Sequence, residues 1–130
     1  MSKESIEYLK HILLECDYIV SVIKPETSKD EFLKDETVKR AVVRSLEIIG
    51  EATKKIPADI KFKWSNISWK NMAGMRNRLI HDYMGVNYSI VWDVVKNIIP
   101  EIRTEIQTII GQSTDKSQLF RMQLFPSART

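Results

Sequence analysis

The stretch Ser89-Ile90-Val91-Trp92-Asp93-Val94-Val95-Lys96-Asn97-Ile98-Ile99-Pro100-Glu101-Ile102-Arg103-Thr104-Glu105-Ile106-Gln107-Thr108-Ile109-Ile110-Gly111 decides the fold class. Its valines and isoleucines have the branched shape that suits β-strands. Yet Val91, Val94, Val95, Ile98, Ile102, Ile106 and Ile109 step by three and four residues. That rhythm lasts for about five turns, which marks one face of a helix rather than the alternation of a strand. Ser89 reads as its N-cap and Gly111 as its stop. Pro100 predicts a kink, because the ring removes one intrahelical hydrogen bond and crowds the preceding turn.

Working upstream, the same spacing recurs. Ile6, Leu9, Leu13, Cys16, Val20 and Ile23 predict a first helix from about residue 4 to 24, closed by Pro25, since proline disfavours helical geometry in the residue before it. Asp35 reads as the N-cap of a second helix, with Val38, Val42, Leu46, Ile49, Thr53 and Ile56 on one face and Pro57 at its end. Residues 57–67 read as an irregular connection. Ser65 or Ser68 then caps a third helix reaching Tyr83 or Met84, with Gly85 as its stop. Four apolar stripes joined by short connections predict an all-α, up-down four-helix bundle with a kinked fourth helix, which buries all four stripes together. The expected organisation is one helical domain over residues 1–111 and a tail over 112–130. That tail is polar at first, then apolar at Leu119, Phe120, Met122, Leu124 and Phe125, and reads either as a docking segment or as a last piece of core.

With 130 residues, 43% hydrophobic and 28% charged, the chain has the composition of one globular domain, which excludes collagen-like and disordered classes. A single cysteine, Cys16, forms no internal disulfide, and two histidines with one thiol supply no zinc cluster. The amino terminus carries both signs of charge and no apolar run, unlike a secretory signal, and no segment approaches a membrane span. The expected location is the cytoplasm, where the sequons at Asn66 and Asn87 have no role.

The net charge of +3 is unevenly placed. Between Ile60 and His81 there is no Asp or Glu, while Lys61, Lys63, Lys70, Arg76 and Arg78 all fall there, interleaved with Phe62, Trp64 and Trp69. A basic stretch with aromatic residues suits a phosphate-rich partner. Counted from Trp69 at about 100° per residue, Met72, Ala73, Leu79, Ile80 and Tyr83 form the core stripe of the third helix, and Arg76 falls inside it. A guanidinium stays charged and is costly to bury alone. It therefore needs a core-facing acid such as Glu47 or Glu51, a phosphate, or a way out of the bundle. His81 lies roughly 140° further round, sharing a face with Asn77, Lys70 and Gly74. On a regular helix Arg76 and His81 do not meet. They converge only if the helix loosens near Gly85 or a second copy completes the site. Without such convergence His81 is a helix-end cap or surface residue, and Tyr83 an aromatic with a polar tip.

The run Met75-Arg76-Asn77-Arg78-Leu79-Ile80-His81-Asp82-Tyr83 resembles the signature of the HepT family, a branch of the HEPN superfamily: Arg, a polar residue, three more residues, His, one residue, Tyr. The match is complete. Gly50-Glu51-Ala52, Trp69, Gly85-Val86 and Ile90-Val91-Trp92 are similar to the family's flanking text, so the resemblance spans about residues 5–110.

The resemblance implies a homodimeric, metal-independent endoribonuclease without a cofactor. It would be the toxin of a toxin–antitoxin pair, encoded beside an MntA-type nucleotidyltransferase antitoxin. It assigns Arg76 to the scissile phosphate, Asn77 to hydrogen bonding and positioning, and His81 either to proton handling or to orienting the attacking 2′-hydroxyl. Tyr83 becomes the acceptor of AMP transferred by the antitoxin. Lys61, Lys63, Lys70 and Arg78 are then the RNA-contacting cations. Trp64 and Trp69 read as core anchors ahead of base-stacking platforms. The competing expectation is a non-catalytic helical partner or nucleotide-binding subunit of a nucleotidyltransferase, in which Arg76 and Tyr83 dock and His81 is structural.

Overall fold

The computed structural model describes residues 1–81 and 85–113. Helices α1 (Lys3–Val22), α2 (Lys29–Lys34), α3 (Glu36–Lys54), α4 (Ala58–Lys63), α5 (Trp69–Ala73) and α6 (Met75–Leu79) come first. Strands β1 (Ile80–His81) and β2 (Gly85–Val86) follow, then α7 (Tyr88–Asn97) and α8 (Ile99–Gln112). The protein is an all-α helical bundle. Helix α1 packs against α3 and α8, and α3 carries α5 and α6 on another side.

The caps are local and explain where the helices begin. The Ser2 hydroxyl accepts from the Ser5 N–H at 3.1 Å, and Asp35 Oδ1 accepts from Val38 N–H at 3.1 Å, each satisfying a donor the helix leaves unpaired. Helix α7 starts two residues earlier than expected. Its cap is Asn87, whose Oδ1 accepts from the N–H groups of Ser89 and Ile90; Ser89 lies inside the first turn. The expected kink is a full break at Ile98, with Pro100 in the first turn of α8, where a missing N–H leaves nothing unpaired.

The apolar side chains buried along α1 and its C-cap are Leu9, Ile12, Cys16, Ile19 and Ile23. The expected Ile6 and Leu13 are half-buried and Val20 is exposed. Both sets share the Leu9, Cys16 and Ile23 line and differ by roughly 60° to either side of it. Burial between α3 and α8 selects one flank. The stripes on α3, α7 and α8 follow the sequence closely: Val42, Leu46, Ile49, Thr53, Val91, Val94, Val95, Ile102, Ile106 and Ile109 are all buried.

Two short helices occupy connections between the expected long ones, α4 within the stretch 57–67 that was expected to be irregular. Helix α2 is fixed by a capping box between Ser28 and Glu31 and by Phe32, whose ring centroid lies 5.4 Å from that of Trp92. Helix α4 is a single turn or so, anchored by buried Ile60. Neither is long enough to display a period. Among the described residues no helix is long and apolar enough to cross a membrane. The apolar part of the expected tail, within residues 114–130, lies outside the described residues.

Candidate active site

The third helix is not continuous. Helix α5 closes at Gly74, whose φ of −85° and ψ of 6° depart from helical values, and α6 restarts at Met75. The interruption shifts the phase of the stripe. Met75 and Leu79 are 4% and 1% exposed, whereas Arg76, Asn77 and Arg78 are all exposed. The expectation that Arg76 lies in the core stripe is therefore corrected, because the 100° count does not carry across a residue that is out of helical register.

The proposed ion-pair partners are also taken. Glu47 pairs with Arg44 at 3.5 Å, and Glu51 with Lys54 at 3.3 Å. Among the described residues Arg76 makes no ion pair or hydrogen bond through its side chain. Its guanidinium is presented to solvent, free to take a phosphate in the bidentate manner that suits its fork of donors.

Beyond Leu79 the helix gives way to an extended pair. Strand β1 runs antiparallel to β2, with Ile80 opposite Val86 and His81 opposite Gly85. The Asn87 N–H donates to the Leu79 carbonyl at 2.9 Å, continuing the ladder. Gly85 has φ 81°, a left-handed conformation open to glycine because it lacks a Cβ. It was expected to stop a helix, and instead it opens the return strand. His81 thus stands on β1, past the end of the helix, and the 140° helical count from Arg76 does not apply to it. The loosening that convergence requires is present, several residues before Gly85. Tyr83 lies outside the described residues.

The four expected RNA contacts are spread over three elements. Lys61 is half-buried and Lys63 exposed on α4, Lys70 is exposed on α5, and Arg78 is exposed on α6. Arg78 lines a cleft of about 130 Å3 between α5–α6 and the α7–α8 junction, with Met72, Met75, Ile98 and Glu101 among its walls. Glu101 brings a carboxylate to the edge of a segment that is acid-free in sequence. Nothing in the local text announces it, since it arrives from another helix.

A family profile described as Ribonuclease HepT-like matches residues 3–109. The chain belongs to the HepT-like ribonuclease family. It is 47% identical over 103 residues to a candidate RNase of Caldanaerobacter subterraneus subsp. tengcongensis, covering 79% of this chain and 91% of that one. A candidate RNase of Methanocaldococcus jannaschii is 44% identical over 117 residues, covering 89% of this chain and all of the relative. A protein of Thermococcus cleftensis named a probable ribonuclease HepT is 38% identical over 109 residues, covering 84% and 98%. No solved structure matches.

In this HepT-like chain the segment from Arg76 to Tyr83 and all four lysine and arginine candidates lie inside the matched region. His11, the other histidine, sits exposed on α1, on a different helix from the motif. Trp69 is buried and donates its indole N–H to the Trp64 carbonyl at 3.0 Å, so it anchors the start of α5. Trp64 is half-buried, with the Lys63 ammonium 5.8 Å from its ring centre.

Proposed function

We propose that this protein is a metal-independent endoribonuclease that works as a homodimer, with Arg76, Asn77 and His81 of the two copies lining a shared cleft. The observation that carries the reading is the exposure of Arg76, unpaired among the described residues, on a helix that ends before His81. Arg76 holds the scissile phosphate and offsets the charge that develops on its oxygens. Asn77 hydrogen-bonds the same group and fixes its orientation. His81 accepts the proton of the 2′-hydroxyl through its imidazole. That oxygen attacks the adjacent phosphorus, the bond to the 5′-oxygen breaks, and the departing 5′-oxygen takes a proton from water, while the proton held by His81 returns to solvent. The products are a cyclic phosphate and a 5′-hydroxyl end. Lys61, Lys63, Lys70 and Arg78 hold the RNA backbone.

In the same reading the protein is the toxin of a pair, and an MntA-type nucleotidyltransferase antitoxin moves AMP from ATP to the Tyr83 hydroxyl, releasing pyrophosphate. The adduct adds bulk and negative charge beside the cleft and repels RNA.

The test is cleavage of RNA by the purified protein in excess chelator. Cleavage lost in both His81→Ala and Arg76→Ala, with unchanged folding, is the expected result. Cleavage retained in both variants overturns the site. For regulation, the protein is incubated with ATP, magnesium and the nucleotidyltransferase encoded beside it. A mass gain of one or more AMP groups on the Tyr83 peptide is expected; a modified protein with an unmodified Tyr83 peptide refutes that acceptor.

A further inference from the structure

The basic window holds three aromatic residues, and the structure separates them. Trp69 is 7% exposed and hydrogen-bonded, Trp64 is half-buried, and Phe62 is 85% exposed. Fully exposing a phenyl ring forgoes the burial that normally places phenylalanine inside. On α4 the anchor is Ile60, and Phe62 lies two residues on, roughly 160° round the helix by the 100° count. The ring thus points away from the body of the protein. Lys61 and Lys63 flank it on either side in sequence. Asp59, in the first turn of α4, is the one acidic neighbour on this element.

We infer that Phe62 is a base-stacking platform, on which one unpaired base of the RNA substrate lies flat while Lys61 and Lys63 hold the flanking phosphates. This rests on the ribonuclease reading and extends it to the form of the substrate. A ring offers its face to any base, and cations beside it track the backbone, the combination that binds single strands with little sequence preference. A duplex keeps its bases stacked inside and leaves none for Phe62. The enzyme therefore selects unpaired segments. The alternative occupant of an exposed ring is another protein surface, a second copy included. The pair of flanking lysines within an otherwise acid-free stretch favours the polyanion.

The experiment uses the full chain and a fluorescent, 2′-O-methylated single-stranded oligonucleotide of mixed sequence, which carries no free 2′-hydroxyl to react. Binding is measured for the wild type and for Phe62→Ala, Phe62→Leu and Phe62→Trp, with melting temperature and molar mass in solution recorded for each. Because the ring is exposed, all variants should melt with the wild type. Phe62→Ala should bind about tenfold more weakly, in keeping with the stacking contribution of one base. Phe62→Leu, which keeps the apolar bulk and loses the π-face, should be as weak, and Phe62→Trp should bind at least as well, with its fluorescence quenched by the base. Wild-type binding to the matching duplex should be weaker than to the single strand. Equal binding by wild type and Phe62→Ala overturns the inference and leaves the ribonuclease reading standing. A fall in molar mass in Phe62→Ala, or full binding by Phe62→Leu, assigns the ring to a protein contact and overturns it too. Absence of wild-type binding to any RNA removes both readings together.

Discussion

Gly50 on α3 lies against the backbone of α5, so close that a Cβ at Gly50 would stand 3.4 Å from the Met72 carbonyl oxygen and 3.5 Å from that of Ala73. This approach seats the helix whose last residue, Ala73, stands three residues before Arg76. It leaves room for a methyl group and nothing larger. Gly50→Ala should therefore be neutral or stabilising by up to about 1 kcal/mol, because alanine is the better helix former. Gly50→Leu should cost about 1–3 kcal/mol through overpacking against a carbonyl that has no side chain to rotate away. Urea unfolding of both variants checks this; equal stability of the two would mean that the contact is not tight.

Arg76→Ala should leave stability within about 0.5 kcal/mol of wild type, the usual range for an exposed side chain without a partner. RNA cleavage should vanish in the same variant. A melting temperature several degrees lower would instead place Arg76 in a structural pair. Glu47 and Glu51, already joined to Arg44 and Lys54, would then have to exchange partners.

Lys39 links three elements. Its ammonium donates to the Leu33 carbonyl at the end of α2 at 3.1 Å and to Glu36 Oε1 at 2.9 Å, and sits 4.4 Å from the Tyr88 ring centre. Lys39→Met keeps the apolar stem and removes the charge. The Leu33 carbonyl and the Tyr88 face both lose their partner, and a loss of about 1–3 kcal/mol is expected. A stability within experimental error of wild type in denaturant titrations would show that water replaces the ammonium at no cost.

Burial pushes the Cys16 thiol up to about 12 from an ordinary 9.0; the Asp17 carboxylate adds to the rise and the Arg103 guanidinium opposes it. The fold favours the neutral thiol. Its contribution to stability is thus complete below about pH 9 and declines as the pH climbs towards 12. At pH 8 a thiol-specific disulfide reagent should label Cys16 only at the rate of unfolding. Rapid labelling of the native protein would contradict the burial.

Much of this molecule was legible from its text. Leu46, Ile49, Ile102 and Ile106 reach the core at the places their spacing assigns, because a helix repeats every 3.6 residues whatever surrounds it. Asp35 caps α3 for a reason confined to four residues. The run from Arg76 to Tyr83 carries the HepT resemblance in its text alone, since the signature is a matter of residue identity and spacing.

What the tertiary structure alone decided is phase and company. Whether α1 buries Ile12 and Ile19 or Leu13 and Val20 depends on which neighbours flank it. The exposure of Arg76 depends on Gly74 resetting the helix, an event invisible to an even angular count. Glu101 joins the cleft of Arg78 from a helix more than twenty residues away in the chain, and of three aromatic residues in one basic stretch only Phe62 stays in solvent. Periodicity and capping act over a few residues and can be read there. Burial is fixed by surfaces that meet across the fold, and no local stretch of sequence contains both of them.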